Sequence, residues 1–160
     1  MLDSEFPSSP LGLAARSVPQ PTRPIFAPPA SAEDIALLEA AVGNSLPTSI
    51  RAFLAEHDSI VAMDVWNGYW IGGVCTLLRS IERGDFPGRI DSHRVMPIAT
   101  DGGGNAFLTP VDSDGPVWKW SHETGAIKEI ASSFQHFLDR IADDFRMFAA
   151  GKGDWPYMSG

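Results

Sequence analysis

The segment Met96–Leu108 places the strongest constraint on the fold, because it has the pattern of two short strands joined by a glycine turn. The turn itself consists of Asp101, Gly102, Gly103, Gly104 and Asn105. Glycine tolerates positive φ, and Asp and Asn side chains hydrogen-bond to nearby backbone in turns. The pattern therefore predicts a β-hairpin, with these residues as a structural turn and the other elements packed around it.

The same turn does not match a ligand-binding loop. A phosphate loop needs a lysine and a hydroxyl residue after its last glycine, whereas Asn105 and Ala106 follow Gly104. A calcium loop needs several carboxylates and a closing glutamate, and only Asp101 and Asn105 could supply oxygen ligands. None of the four histidines stands at metal-ligand spacing from another ligand. We therefore expect no metal and no cofactor.

The composition describes an acidic globular chain. Its 160 residues, 44% of them hydrophobic, are enough for one domain with its own core. The net charge of −8 argues against direct binding to nucleic acid or to an anionic membrane, since both need a basic face. It is compatible with a basic protein partner.

Cys75 is the only cysteine, so no intrachain disulfide can form. Its neighbours are mostly glycine and apolar residues, and we expect a buried structural thiol. The N-terminal residues lack the basic and apolar pattern of a signal peptide, and no apolar run approaches transmembrane length. A cytoplasmic location is expected.

Residues 1–30 contain seven of the 13 prolines. Proline removes a backbone donor and fixes φ, so this leader is predicted to be extended or loosely ordered, without a helix or central strand. A single domain is predicted over residues 31–150. Residues 151–160 form a short tail.

Apolar residues at helical spacing predict three helices in the domain. The first has Ser31 as its N-cap and ends near Gly43, and the second opens around Pro47. The third and longest begins with a capping box formed by Ser132 and Gln135.

Short alternating segments predict antiparallel strands between the second and third of these helices. Asn67-Gly68 indicates a two-residue hairpin. Val74–Ile81 is predicted to be a short strand, residues 82–93 a loop, and Val117–His122 and Ile127–Ile130 a strand pair. The predicted fold class is α+β, with two N-terminal helices, a mostly antiparallel meander sheet and a C-terminal helix packed on it.

An ordered set of motifs within residues 31–145 resembles the SUKH superfamily, which includes fungal cell-wall-assembly regulators and bacterial toxin-immunity proteins. The motifs are Ile35-x-x-Leu38-Glu39, Leu46-Pro47-x-x-Ile50-x-x-Phe53-Leu54, the segment Pro97–Asn105, the strand Trp118–His122, and Ser132-Ser133-Phe134-x-x-Phe137-Leu138. The chain departs from the family where an Asn-Gly-Gly type turn commonly follows the second helix. Here that place holds His57–Ile60.

The resemblance implies a SUKH-like fold and a protein-binding module rather than an enzyme. Bacterial members typically neutralise a cognate toxin, often a nuclease, by covering its active site. An acidic inhibitor would meet a basic nuclease surface with complementary charge. We expect a monomer or weak dimer. Two alternatives stay open: a regulatory adaptor that docks through the proline-rich leader, and a small hydrolase-type enzyme using Asp101, His122 or Glu123.

Acidic residues in or near predicted turns and tryptophans beside a turn are the candidates for partner binding. They are Asp58, Asp64, Trp66, Trp70, Asp112 and Asp114. Trp66 and Trp70 flank the Asn67-Gly68 turn, where exposure is common, and tryptophan is enriched in interface hot spots. Trp118 and Trp120 are predicted to share one strand face, and we expect that pair in the core.

Overall fold

The computed structural model of the protein describes residues 9–151. The helices are α1 (Pro10–Ser17), α2 (Ala32–Val42), α3 (Thr48–Glu56), α4 (Val74–Arg83) and α5 (Phe134–Ala149). The strands are β1 (Ile25–Phe26), β2 (Ser59–Ala62), β3 (Tyr69–Gly72), β4 (Arg89–Ile90), β5 (His93–Asp101), β6 (Ala106–Pro110), β7 (Val117–Trp120) and β8 (Ile127–Ala131). The predicted α+β class is confirmed.

The strands form an antiparallel sheet in the order β1-β2-β3-β5-β6-β7-β8, and β4 pairs with β5. The predicted glycine hairpin is β5–β6, and it lies at the middle of this order. Its register shifts between Pro97 and Ala99. The shift places Ile98 and Ala99 together in the main core.

The two faces of the sheet carry separate apolar clusters. On the inner face α5 packs against the strands, with the rings of Phe107 and Phe137 at a centroid distance of 5.4 Å. On the outer face a smaller cluster contains Leu108 and Trp118, with Trp120 packed against it. Trp118 and Trp120 therefore share one face, as strand alternation predicted, but on the side of the sheet opposite α5.

The prediction of an extended leader is wrong for residues 10–17, which form α1. Ser9 caps this helix by accepting a 3.2 Å hydrogen bond from the backbone N–H of Gly12. Pro10 stands in the first turn, where its missing N–H costs nothing. Ala14 and Ala15 are buried in the main core, and α1 packs against α5. Residues 1–8 lie outside the described part of the chain.

The predicted strand Val74–Ile81 is instead helix α4, which extends to Arg83. The helix is capped from outside its own sequence, since the carboxylate of Asp58 accepts a 2.9 Å hydrogen bond from the N–H of Val74. Val74 and Leu77 face inward at helical spacing, whereas Cys75 points to solvent. The prediction of a buried thiol is therefore also wrong.

Three local predictions need smaller corrections. The β2–β3 connection spans residues 63–68 rather than two residues, and Trp66 within it has a φ of +53°. The N-cap of α5 is Ser133, whose hydroxyl accepts a 3.0 Å hydrogen bond from His136 N, and not Ser132. The predicted loop 82–93 contains the short strand β4.

Candidate functional site

Three turns meet at one end of the sheet: residues 63–68, 102–105 and 121–126. The glycine turn lies between the other two. A methyl group at Gly102 would lie 2.0 Å from the carbonyl oxygen of Asn67, and one at Gly104 would lie 2.5 Å from the ring of His122. Gly104 also has a φ of +83°. These glycines therefore permit the close approach of three turns, which together we call the three-turn end.

The carboxylate of Asp101 holds the glycine turn in shape. Its Oδ1 accepts hydrogen bonds from the N–H groups of Gly103 and Asn105 at 2.9 and 3.0 Å, and its Oδ2 accepts one from Asn105 Nδ2 at 2.9 Å. Asn105 Oδ1 in turn accepts from His122 N at 3.1 Å. The bonds thus join the glycine turn to the β7–β8 turn.

A cleft of about 480 Å³ opens on the outer face of the sheet beside the three-turn end. Its apolar and ring-bearing lining consists of Phe86, Pro97, Ala106, Trp120 and His122. The polar lining includes Arg83 and Asp85, whose exposed side chains form an ion pair at 3.7 Å. The volume lies in the range of small ligand pockets.

Small residues separate two tryptophans on the floor of this outer face. Trp70 pairs with Thr100, Thr100 with Ala106, and Ala106 with Trp120 along neighbouring strands. Cross-strand partners lie on the same face of a sheet, so the four side chains form one row. Thr100 and Ala106 line the cleft between the two larger rings.

The residues proposed for acid–base catalysis do not gather in the cleft. Asp101 and His122 line it, but Glu123 does not. The Asp101 carboxylate already accepts three hydrogen bonds from its own turn. It is therefore poorly placed to take a proton from a substrate.

The predicted partner-binding acids lie at opposite ends of the sheet. Asp64 is exposed at the three-turn end. Asp112 and Asp114 are exposed in the β6–β7 connection at the other end, where the Ser49 hydroxyl donates to Asp114. Asp58 lies at that end as well, and its carboxylate caps α4. These four acids do not form one surface.

The two predicted interface tryptophans have different environments. Trp66 turns toward α5, where its ring packs on Phe148 at a centroid distance of 5.7 Å and its Nε1–H donates a 3.3 Å hydrogen bond to the carbonyl oxygen of Asp144. Trp70 remains half-exposed on the outer face. Of these two tryptophans, only Trp70 lies on the outer face, where it is the cross-strand partner of the cleft residue Thr100.

One buried carboxyl group, that of Asp144, was not among the residues predicted from the sequence. Its Oδ2 accepts a 2.9 Å hydrogen bond from the Tyr69 hydroxyl, and its Oδ1 has no hydrogen-bond partner among residues 9–151. Burial raises the pKa of Asp144 to about 7, although the Tyr69 hydrogen bond and Arg140 act in the opposite direction. Asp144 follows Phe137 and Ile141 at helical spacing, whereas Asp143 lies on the opposite side of the helix, so the apolar pattern of α5 could have indicated this buried position.

Lys119 is the buried cation of the inner sheet face in the described part of the chain. Its desolvation lowers the pKa of its ammonium group, whereas the charge of Asp101 raises it.

Among residues 9–151, no group of three or more His, Cys, Asp or Glu side chains is arranged to hold a metal ion. Over the same residues, no helix has the length and apolar content needed to cross a membrane.

Comparison with known proteins places the chain in a family. The model of the SMI1 / KNR4 family (SUKH-1) matches residues 29–140, a span that contains the glycine turn and the outer-face cleft. Helix α1 and the last part of α5 lie outside the match. A comparison with curated proteins gave no match. The predicted SUKH resemblance is thus confirmed, and the chain belongs to the SMI1 / KNR4 family (SUKH-1).

Proposed function

We propose that this protein is a cytoplasmic immunity protein, which neutralises a cognate bacterial toxin by binding it directly and without catalysis. The observation that carries the proposal is the family match over residues 29–140, since SUKH proteins are generally non-enzymatic and associated with protein–protein interaction. The proposed partner is a basic toxin domain, such as a nuclease.

The charge of the chain supports a basic partner. A toxin that grips phosphate needs Lys and Arg on its active face, and this chain has a net charge of −8. Complementary charge raises the rate of encounter and disfavours wrong partners.

We place the toxin-facing surface at the three-turn end. Asp64 and Glu123 are exposed there, and neither forms an ion pair with another described residue. Asn105 joins the turn that carries Glu123 to the glycine turn by a hydrogen bond, and Gly102 packs closely against Asn67 in the turn that carries Asp64. A surface held in one conformation loses less entropy on binding than a mobile one.

Affinity capture of the tagged chain from its native cell, followed by mass spectrometry, tests the proposal. We expect one stoichiometric basic partner that is toxic when expressed alone and harmless when expressed with this chain. Several substoichiometric partners, none of them toxic, would contradict the immunity role and favour the adaptor alternative.

Charge reversal then tests the placement of the surface. The double variant Asp64→Lys with Glu123→Lys should weaken toxin binding and abolish protection, because the new lysines would face the basic residues of the toxin. The matched control is Asp112→Lys with Asp114→Lys at the opposite end of the sheet, which should leave binding unchanged. If only the control pair weakens binding, the toxin binds the other end.

A further inference from the structure

We infer that the outer-face cleft is an anchor site for one aromatic side chain, which a protein partner presents between basic residues. This inference rests on the proposed function for the identity of the partner and adds the chemistry of the contact. The residues that line the cleft all lie within the span that the family model matches.

The shape of the cleft favours a flat apolar group. Ala106, at 6% exposure, leaves space on the floor between the larger side chains of Phe86 and Trp120. Both aromatic residues are only half-buried, although they pack against the outer apolar cluster. Aromatic rings prefer offset or edge-to-face contact with other rings, and such anchors dominate the energetics of protein interfaces.

The charge at the cleft favours basic neighbours around that anchor. Two carboxylate residues, Asp85 and Asp101, line the cleft against a single guanidinium, Arg83. Arg83 is already paired with Asp85. Glu123 follows the lining residue His122 and is exposed. Asp101 is buried and faces the charge of Lys119, so the exposed carboxylate of Glu123 is the group that would attract Lys or Arg residues beside the anchor and repel acidic ones.

The wall at the three-turn end is fixed before binding. Asp101 is satisfied by three hydrogen bonds within its turn, and Asn105 ties that turn to the backbone of His122. The cleft therefore needs no rearrangement of this wall to accept a side chain, and binding loses little conformational entropy there.

Three synthetic peptides test the inference without any toxin: acetyl-Lys-Trp-Lys-amide, acetyl-Glu-Trp-Glu-amide and acetyl-Lys-Ala-Lys-amide. Each is titrated into the ¹⁵N-labelled full chain and followed by NMR. We expect the first peptide to bind with a Kd of about 1 mM and to shift the Trp120 indole and the Thr100 and Ala106 amides. The acidic peptide should bind about fivefold more weakly, and the alanine peptide should give no saturable shifts.

Filling the cleft provides the matched variant. Ala106→Leu should abolish the response to the first peptide, whereas Ala55→Leu on the exposed surface of α3 should retain it. If Ala106→Leu fails to fold, Trp120→Ala removes one ring from the cleft and should weaken binding at least about tenfold, as expected for a hot-spot aromatic.

The inference is overturned if the tryptophan and alanine peptides bind equally, if the acidic peptide binds as well as the basic one, or if the shifts map elsewhere. If the chain binds a toxin but its cleft does not bind the peptides, the immunity role is supported and the anchor site is contradicted. If the cleft binds the peptides but the chain has no toxin partner, only the immunity role is contradicted.

Discussion

The hydroxyl of Tyr69 donates a 2.9 Å hydrogen bond to Oδ2 of Asp144, a carboxyl group with no exposed surface. This contact joins β3 to α5. Trp66 adds a second link through its hydrogen bond to the carbonyl oxygen of Asp144. Because burial removes this carboxyl group from water, the neutral form is favoured in the folded chain, and Oδ1 has no hydrogen-bond partner among residues 9–151 that would stabilise the charge.

Stability should therefore fall as this carboxyl group ionises. The pKa of Asp144 is about 7 in the folded chain, above the ordinary value of 3.8 that applies when unfolded. Between these values the folded state holds one more proton, so the free energy of unfolding decreases with rising pH. Relative to Asp144→Asn, the free energy of unfolding of the native chain should fall by a few kcal/mol, about 4 at most, between pH 4 and 7, and should change little above pH 7. Urea unfolding of both proteins at pH 5, 6, 7 and 8 measures the difference.

Tyr69→Phe is the companion variant for that pH series. It removes the donor that favours the ionised form, so its destabilisation of about 1–3 kcal/mol should be larger at pH 8 than at pH 5. An equal loss at both pH values, together with parallel curves for the native chain and Asp144→Asn, would show that Asp144 is not protonated in the folded state.

Helix α1 should contribute to stability rather than act as a free docking arm. Ala15 is completely buried in the main core, whereas Leu13 on the same helix is 53% exposed. Ala15→Asp would bury an unpaired carboxylate and should lower the free energy of unfolding by at least about 3 kcal/mol. Leu13→Ser should change it by less than about 1 kcal/mol. Equal effects in urea unfolding would mean that α1 does not pack on α5 in solution.

The glycine turn should tolerate a methyl group at one position and not at another. Gly102→Ala would bring a Cβ to 2.0 Å from the Asn67 carbonyl oxygen, so the two turns must separate. Gly103→Ala meets its nearest atom at 3.4 Å, and its φ lies outside the positive region. We expect a loss of about 2 kcal/mol or more for the first and less than about 1 for the second. Thermal unfolding of both variants measures the contrast, and a reversed order would contradict the turn packing.

Asp58 should act on stability and not on partner binding. Asp58→Ala removes the cap of α4 and should cost about 1 kcal/mol, whereas Asp58→Asn keeps an acceptor and should cost less. Asp64→Ala is the matched change at an exposed acid and should be neutral within about 0.5 kcal/mol. If urea unfolding gives the same midpoint for all three variants, the cap contributes nothing.

Local sequence patterns were sufficient to predict four of the elements correctly. The glycine hairpin, α2, α3 and α5 were found from turn chemistry, capping residues and helical spacing, and all four are present. Two short elements were assigned wrongly. The helix signal of α1 is brief and lies among prolines. In α4 the apolar residues Val74, Leu77, Leu78 and Ile81 do have helical spacing, but two glycines precede them and the Asp58 cap comes from a residue 16 positions away.

The α+β class, the central glycine turn and the acidic charge follow from residue spacing, turn residues and composition, which are local or additive properties of the chain. Tertiary packing was needed to specify which acids share a surface, that Trp66 faces α5, and that the Asp144 carboxyl group pairs with the Tyr69 hydroxyl. Those outcomes depend on contacts between residues as far as 78 positions apart. Such contacts form only when strands pair and helices pack, and no local pattern specifies them.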